Sequence, residues 1–107
     1  DVIISAGWTM SAVEIEDVLL KHRDVDEAAA IGVPDEDRGQ VVKAFIISSR
    51  AASDSFTKEL QDFARERLSR HEYPRLVAIV DALPKTPAGK VNRKALRDAE
   101  RQSEEQT

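Results

Sequence analysis

The chain has no cysteine among its 107 residues, which rules out disulfides and thiolate metal sites. Aromatic residues make up only 5%, with one Trp and one Tyr, too few for a platform that stacks nucleic-acid bases. No apolar run approaches the roughly 20 residues that span a bilayer. The opening Asp1-Val2-Ile3-Ile4-Ser5 also lacks the basic-then-apolar order of a secretory signal. His22 and His71 are the only histidines, and they lie too far apart in sequence to suggest metal ligation. The expectation is a cytoplasmic globular protein with no metal of its own, no membrane insertion and no nucleic-acid partner.

What is present is a soluble composition, 41% hydrophobic and 34% charged, long enough for one modest core. The net charge of −4 is unevenly spread. Residues 1–64 hold 6 Lys/Arg against 13 Asp/Glu, whereas residues 65–97 hold 9 against 3. A basic segment inside an acidic domain points to local phosphate handling, although ordinary surface variation accounts for it equally well.

The pattern predicts strands at Val2–Ser5 and Trp8–Met10, turning at Ala6-Gly7, where glycine takes positive φ at no steric cost. Ser11-Ala12-Val13-Glu14 is a capping box that opens a helix to about His22. Ala12, Ile15, Leu19 and His22 share one face of it. Ala28–Val33 and Val41–Ser48 read as strands around the polar turn Pro34–Gly39. The second is apolar on both faces and so is expected to be covered on both. A helix over Thr57–Arg70 buries Leu60, Phe63, Ala64 and Leu68. Leu76–Val80 is a third strand, and Asn92 caps a last helix to about Glu100. The predicted fold is α+β: a small three-stranded antiparallel sheet packed with helices, plus the N-terminal two-stranded hairpin. One domain is expected over 1–101, with 102–107 as a frayed tail.

Pro84-Lys85-Thr86-Pro87-Ala88-Gly89-Lys90 combines two stiffening prolines with a glycine beside Lys90. Arg93 and Lys94 follow with no carboxylate between, so the segment presents cations to something anionic. It is not a P-loop, because Val91 follows Gly89-Lys90 and Pro84 stands where the first glycine would be. Its plain reading is a solvated basic turn leading into a helix.

The same segment, continued by Val91-Asn92-Arg93, resembles the PKTxxGKxxR signature of adenylate-forming enzymes. Asp1-Val2-Ile3-Ile4, Gly7 and Glu14-Ile15-Glu16 resemble that family's hinge-proximal motif. Val33-Pro34-Asp35, Arg38-Gly39, Val42-Lys43-Ala44-Phe45 and Tyr73-Pro74-Arg75 fall between them in family order. Within the family the chain is most similar to the C-terminal domain of medium-chain and aromatic acyl-CoA synthetases. The resemblance implies a mobile domain that supplies Lys90 as the catalytic lysine of acyl-adenylate formation from ATP and a carboxylic acid. It then implies rotation about a hinge, with Ala6, Gly7 and Trp8 lining the tunnel of CoA, and Arg38, Arg65, Tyr73, Pro74 and Arg75 contacting it. By the same resemblance the phosphate loop, the acyl pocket and the Mg2+ site belong to a large N-terminal domain preceding Asp1. Thr9 stands where many relatives have an arginine, which leaves that residue's role vacant or moved. A core position for Trp8 is an alternative to a CoA contact. A carrier-protein-loading adenylation domain and a stand-alone interaction or regulatory module are the competing functions.

Overall fold

The hairpin forms as its sequence directs. β1 (Val2–Ser5) and β2 (Trp8–Ser11) pair antiparallel with Ser5 opposite Trp8. Ala6 and Gly7 take φ of 50° and 82°, the left-handed pair of a type I′ turn, whose twist matches that of the flanking strands. This computed structural model describes residues 2–69 and 72–105. Asp1 and His71, which the sequence reading used, lie outside the described residues.

α1 (Ala12–Leu19) starts at Ser11, whose Oγ accepts the Glu14 N–H at 3.3 Å. It stops short of His22. The N–H groups of Lys21 and His22 donate three residues back, to Val18 and Leu19, a tightening common at helix ends. β3 (Glu27–Asp35) and β4 (Gly39–Ile47) pair antiparallel along their full length, Glu27 opposite Ile47 and Asp35 opposite Gly39. α2 (Asp54–Arg67) begins three residues earlier than expected because Ser53 caps it, accepting the Phe56 N–H at 3.0 Å. That places Phe56 in the core beside Leu60 and Ala64, while Phe63 and Leu68 are only partly buried. The expected helix end, Arg70, lies outside the described residues.

β5 (Leu76–Ile79) corrects the expected strand direction. It runs parallel to β4, with Lys43 opposite Leu76 and Ile46 opposite Ile79, so the sheet β3-β4-β5 is mixed, not antiparallel throughout. The cause is the connection. α2 lies between β4 and β5, and a helix-length crossover returns the chain toward the end from which β4 started.

Both faces of the sheet are covered. Val42, Ala44 and Ile46 of β4 pack with Ile15 and Leu19 of α1, Phe56 and Leu60 of α2, and Ile3 and Met10 of the hairpin. Val41 and Phe45 point the other way, onto Leu83 and Leu96. Leu96 belongs to α3 (Arg93–Glu105), which Asn92 caps by accepting the Ala95 N–H at 3.0 Å. α3 continues past the expected Glu100, so residues 102–105 of the expected tail are helical backbone, and Gln106 and Thr107 lie outside the described residues. Among the described residues no helix is long and apolar enough to cross a membrane.

Candidate functional site

Lys90 stands exposed at the end of a loop closed upon itself. Lys85 and Val91 form an antiparallel bridge at its base. Within it Thr86 N–H donates to the Lys90 carbonyl at 2.7 Å, Gly89 N–H to the Thr86 carbonyl at 2.8 Å, and Lys90 N–H to Thr86 Oγ1 at 3.3 Å. Gly89 has φ of 84° with nothing within 4 Å of a Cβ position. Its glycine is therefore required by backbone conformation, not by lack of room. Lys90 borders an open cleft of about 460 Å³ whose lining includes Val13 and Asp17 of α1, Leu20 just past its end and Glu27 of β3.

Two ion pairs attach this loop to the domain. Lys85 reaches Glu27, with both side chains about two-fifths exposed. Arg93, three residues beyond Lys90, holds Glu16 in a forked pair, Nε to Oε2 at 2.9 Å and Nη2 to Oε1. Glu16 is 6% exposed, and its Oε2 also accepts the Ala30 N–H at 2.8 Å. A carboxylate in a core is costly unless its lone pairs are filled, and here three donors fill them. The Glu16 carboxylate raises Arg93 above its ordinary, already high pKa, so the guanidinium stays charged. Sequence reading placed Glu16 and Arg93 in motifs but gave neither a role. The available signal was a charged residue at position 16 of the stripe Ala12, Ile15, Glu16, Leu19, whose spacing is that of a buried helix face.

The remaining candidates lie toward the other end of the sheet. Ala6 N–H, at the hairpin tip, donates to the Arg38 carbonyl at 2.7 Å, which brings Ala6, Gly7 and Trp8 beside the β3–β4 turn. Arg38 is itself fixed by its N–H to Asp35 Oδ2 at 3.0 Å, and its Nε is buried with no hydrogen-bond partner among the described residues. Trp8 is 54% exposed, so its position is not in the core. Arg75 precedes β5, its N–H donating to the Val42 carbonyl. Two guanidiniums meet the Tyr73 ring, Arg65 at 4.9 Å and Arg75 at 5.1 Å from its centroid, and Pro74 beside it is fully buried. The structure thus gathers Arg65, Tyr73 and Arg75 into one cationic cluster and Ala6–Trp8 with Arg38 into another group. It sets both apart from Lys90.

His22, Asp24 and Glu59 come close enough to hold a metal ion, but their polar atoms are already engaged. His22 Nδ1 accepts the Asp24 N–H at 3.1 Å and Nε2 meets Glu59 at 2.7 Å, while Arg50 bridges both carboxylates. A cation there would have to displace a guanidinium, and Mg2+ prefers an all-oxygen set. The cluster does not fit Mg2+.

The profile of one sequence family, described as AMP-binding enzyme C-terminal domain, matches residues 14–90. The chain belongs to this family. Among curated relatives of this AMP-binding enzyme C-terminal domain is an uncharacterized acyl–CoA ligase, YtcI, of Bacillus subtilis. It is 40% identical over 104 residues, covering 95% of this chain and 20% of the relative. The mitochondrial acyl-coenzyme A synthetase ACSM4 of Homo sapiens is 41% identical, covering 94% and 18%. The crystal structure of an acyl-CoA synthetase from Brucella canis superposes with a TM-score of 0.93 at 42% identity, covering 97% of this chain and 20% of that one. The chain spans about a fifth of the length of the relatives it matches.

Proposed function

We propose that this chain is the C-terminal domain of an acyl-CoA synthetase and serves its two half-reactions from two ends of one sheet. The observation that carries the reading is a separation. The Lys90 loop is attached at Glu27, where β3 begins, and the Gly7 turn at Arg38, just past Asp35, where β3 ends. Eight residues of strand rise put these points about 26 Å apart, so a single site cannot face both at once.

In the first half-reaction a carboxylate oxygen attacks the α-phosphorus of ATP, and the bond to pyrophosphate breaks, leaving an acyl-adenylate. Negative charge builds on the α-phosphate oxygens during attack. The exposed Lys90 ammonium, on its stiff loop, stabilises that charge more than it does the ground state. In the second, the CoA thiolate attacks the adenylate carbonyl and AMP leaves. Here the domain has turned, and Ala6, Gly7 and Trp8 line the thiol's path. Arg38, Arg65 and Arg75 take the anionic parts of CoA, since guanidiniums pair with phosphate through forked hydrogen bonds. Among the described residues the buried Arg38 Nε has no hydrogen-bond partner, and the Tyr73 ring holds the Arg65 and Arg75 guanidiniums at cation–π distance. ATP, CoA and the carboxylic acid are substrates. The phosphate loop, the acyl pocket and the Mg2+ that accompanies ATP belong, in this reading, to a large N-terminal domain. A cytoplasmic location is part of the proposal, although the human relative is described as mitochondrial.

The test separates the half-reactions in the full-length enzyme. Lys90→Ala should lower acyl-adenylate formation by several orders of magnitude and spare thioester formation from supplied acyl-adenylate. Arg65→Ala and Arg75→Ala should mainly raise the KM for CoA. Equal losses in both half-reactions for Lys90→Ala, or a raised KM for ATP in the arginine variants, would overturn the assignments.

A further inference from the structure

We infer that Glu16 is a positioning residue for Lys90, acting through Arg93; the inference rests on the reading of Lys90 given above. Lys90 touches little of its own domain. Its hydrogen bonds run to Thr86 within the same loop, so the loop moves as a unit and the ammonium is placed only as well as the loop's base is held.

Several contacts hold that base. Leu83 and Leu96 bury in the core and Val91, next to Lys90 itself, packs against them, but apolar contact leaves an arm free to roll. The Lys85–Glu27 pair is substantially exposed, and exposed pairs give way readily. The Glu16–Arg93 pair differs in kind. It lies three residues from Lys90, its side chains are 8% and 20% exposed, and its fork fixes direction as well as distance. The carboxylate is fixed in turn by the Ala30 N–H and by its place on the core stripe of α1. A chain of rigid attachments therefore runs from β3 through Glu16 and Arg93 to the Lys90 loop. Misplacing a catalytic group by about 1 Å costs on the order of 100-fold, so loosening this chain is expected to show in the rate.

The experiment uses Glu16→Gln and Arg93→Lys in the full-length enzyme, with Lys90→Ala alongside. Glu16→Gln keeps an acceptor for the Ala30 N–H and removes the charge; Arg93→Lys keeps the charge and removes the fork. Two readouts are taken. The first is the ratio of acyl-adenylate formation to thioester transfer within one preparation, which cancels any loss of folded protein. It should fall about 10- to 100-fold in both variants, through kcat with little change in KM. The second is amide hydrogen exchange at Asn92, whose N–H donates to the Pro84 carbonyl across the loop's base at 2.8 Å; it should quicken at least tenfold. Unchanged exchange, or an unchanged ratio where Lys90→Ala lowers it, overturns the inference. Faster exchange with Lys90→Ala leaving adenylation intact would uphold the structural link and overturn the role given to Lys90.

Discussion

Glu16 and Arg93, 77 residues apart in the chain, close a forked ion pair that joins the last residue of one sequence motif to the last residue of the other. The two motifs are therefore one structural unit. Glu16 also satisfies the Ala30 N–H of β3, a donor on the strand edge not paired with β4, which would otherwise lack an acceptor.

Truncating Glu16 to Ala should lower stability by about 3–5 kcal/mol, because it leaves a half-buried guanidinium and a backbone N–H unpaired. Ser11→Ala, which removes only the helix cap, should cost about 1 kcal/mol. Urea unfolding followed by circular dichroism measures both. A Glu16→Ala loss no larger than that of Ser11→Ala would mean that Arg93 finds solvent or another partner at little cost.

Gly7 offers a sharper test than simple enlargement. At φ of 82° a leucine is strained by roughly 1–2 kcal/mol, so Gly7→Leu mixes turn damage with obstruction. Asn tolerates the left-handed region, and a Cβ at this position meets nothing within 4 Å. Gly7→Asn should therefore fold normally, retain adenylation and lose thioester transfer. Full thioester transfer by a folded Gly7→Asn would remove the hairpin tip from the CoA path.

Acid should weaken the α1–α2 junction through Glu59. Its carboxyl is held below the ordinary value of 4.5, first by the hydrogen bond from Arg50 and then by that from His22. A depressed folded-state pKa contributes stability that is present above the unfolded value and lost as pH falls through the folded one. Thermal midpoints should hold from neutral pH to about 4.5 and fall below it, and Glu59→Gln should soften that fall. Identical acid limbs for the two proteins would show that Glu59 contributes nothing to it.

Much of this architecture was legible because local signals agreed with one another. Ser11, Asn92 and the Ala6-Gly7 turn all did locally what their chemistry favours, and the two-faced apolarity of β4 foretold cover on both sides. The failures were non-local or masked. The direction of β5 depends on where a crossover helix sets the chain down, which no residue of Leu76–Ile79 encodes. The Ser53 cap lies before the Thr57 start that the apolar spacing suggests, and Phe56 falls outside the expected core with it. The Lys90 loop was legible from its prolines, glycine and cations. The partners that hold it were not, because Glu16 reads as an ordinary helix charge until its place on the buried stripe is noticed. Likewise nothing local to Tyr73 tells that its ring meets the guanidiniums of both Arg65 and Arg75, which only the fold brings to it.

The parallel union of β4 with β5 also orders the assembly of the chain. β3 and β4 can zip from a short local turn, but β5 must wait for residues 48–75 to lay down α2 and return. Until then β4 offers an unpaired edge bearing Val41, Val42, Phe45, Ile46 and Ile47, a sequence suited to capture by a neighbouring chain. Nascent or truncated forms that end before Leu76 should aggregate, and solubility should return only once synthesis has passed β5.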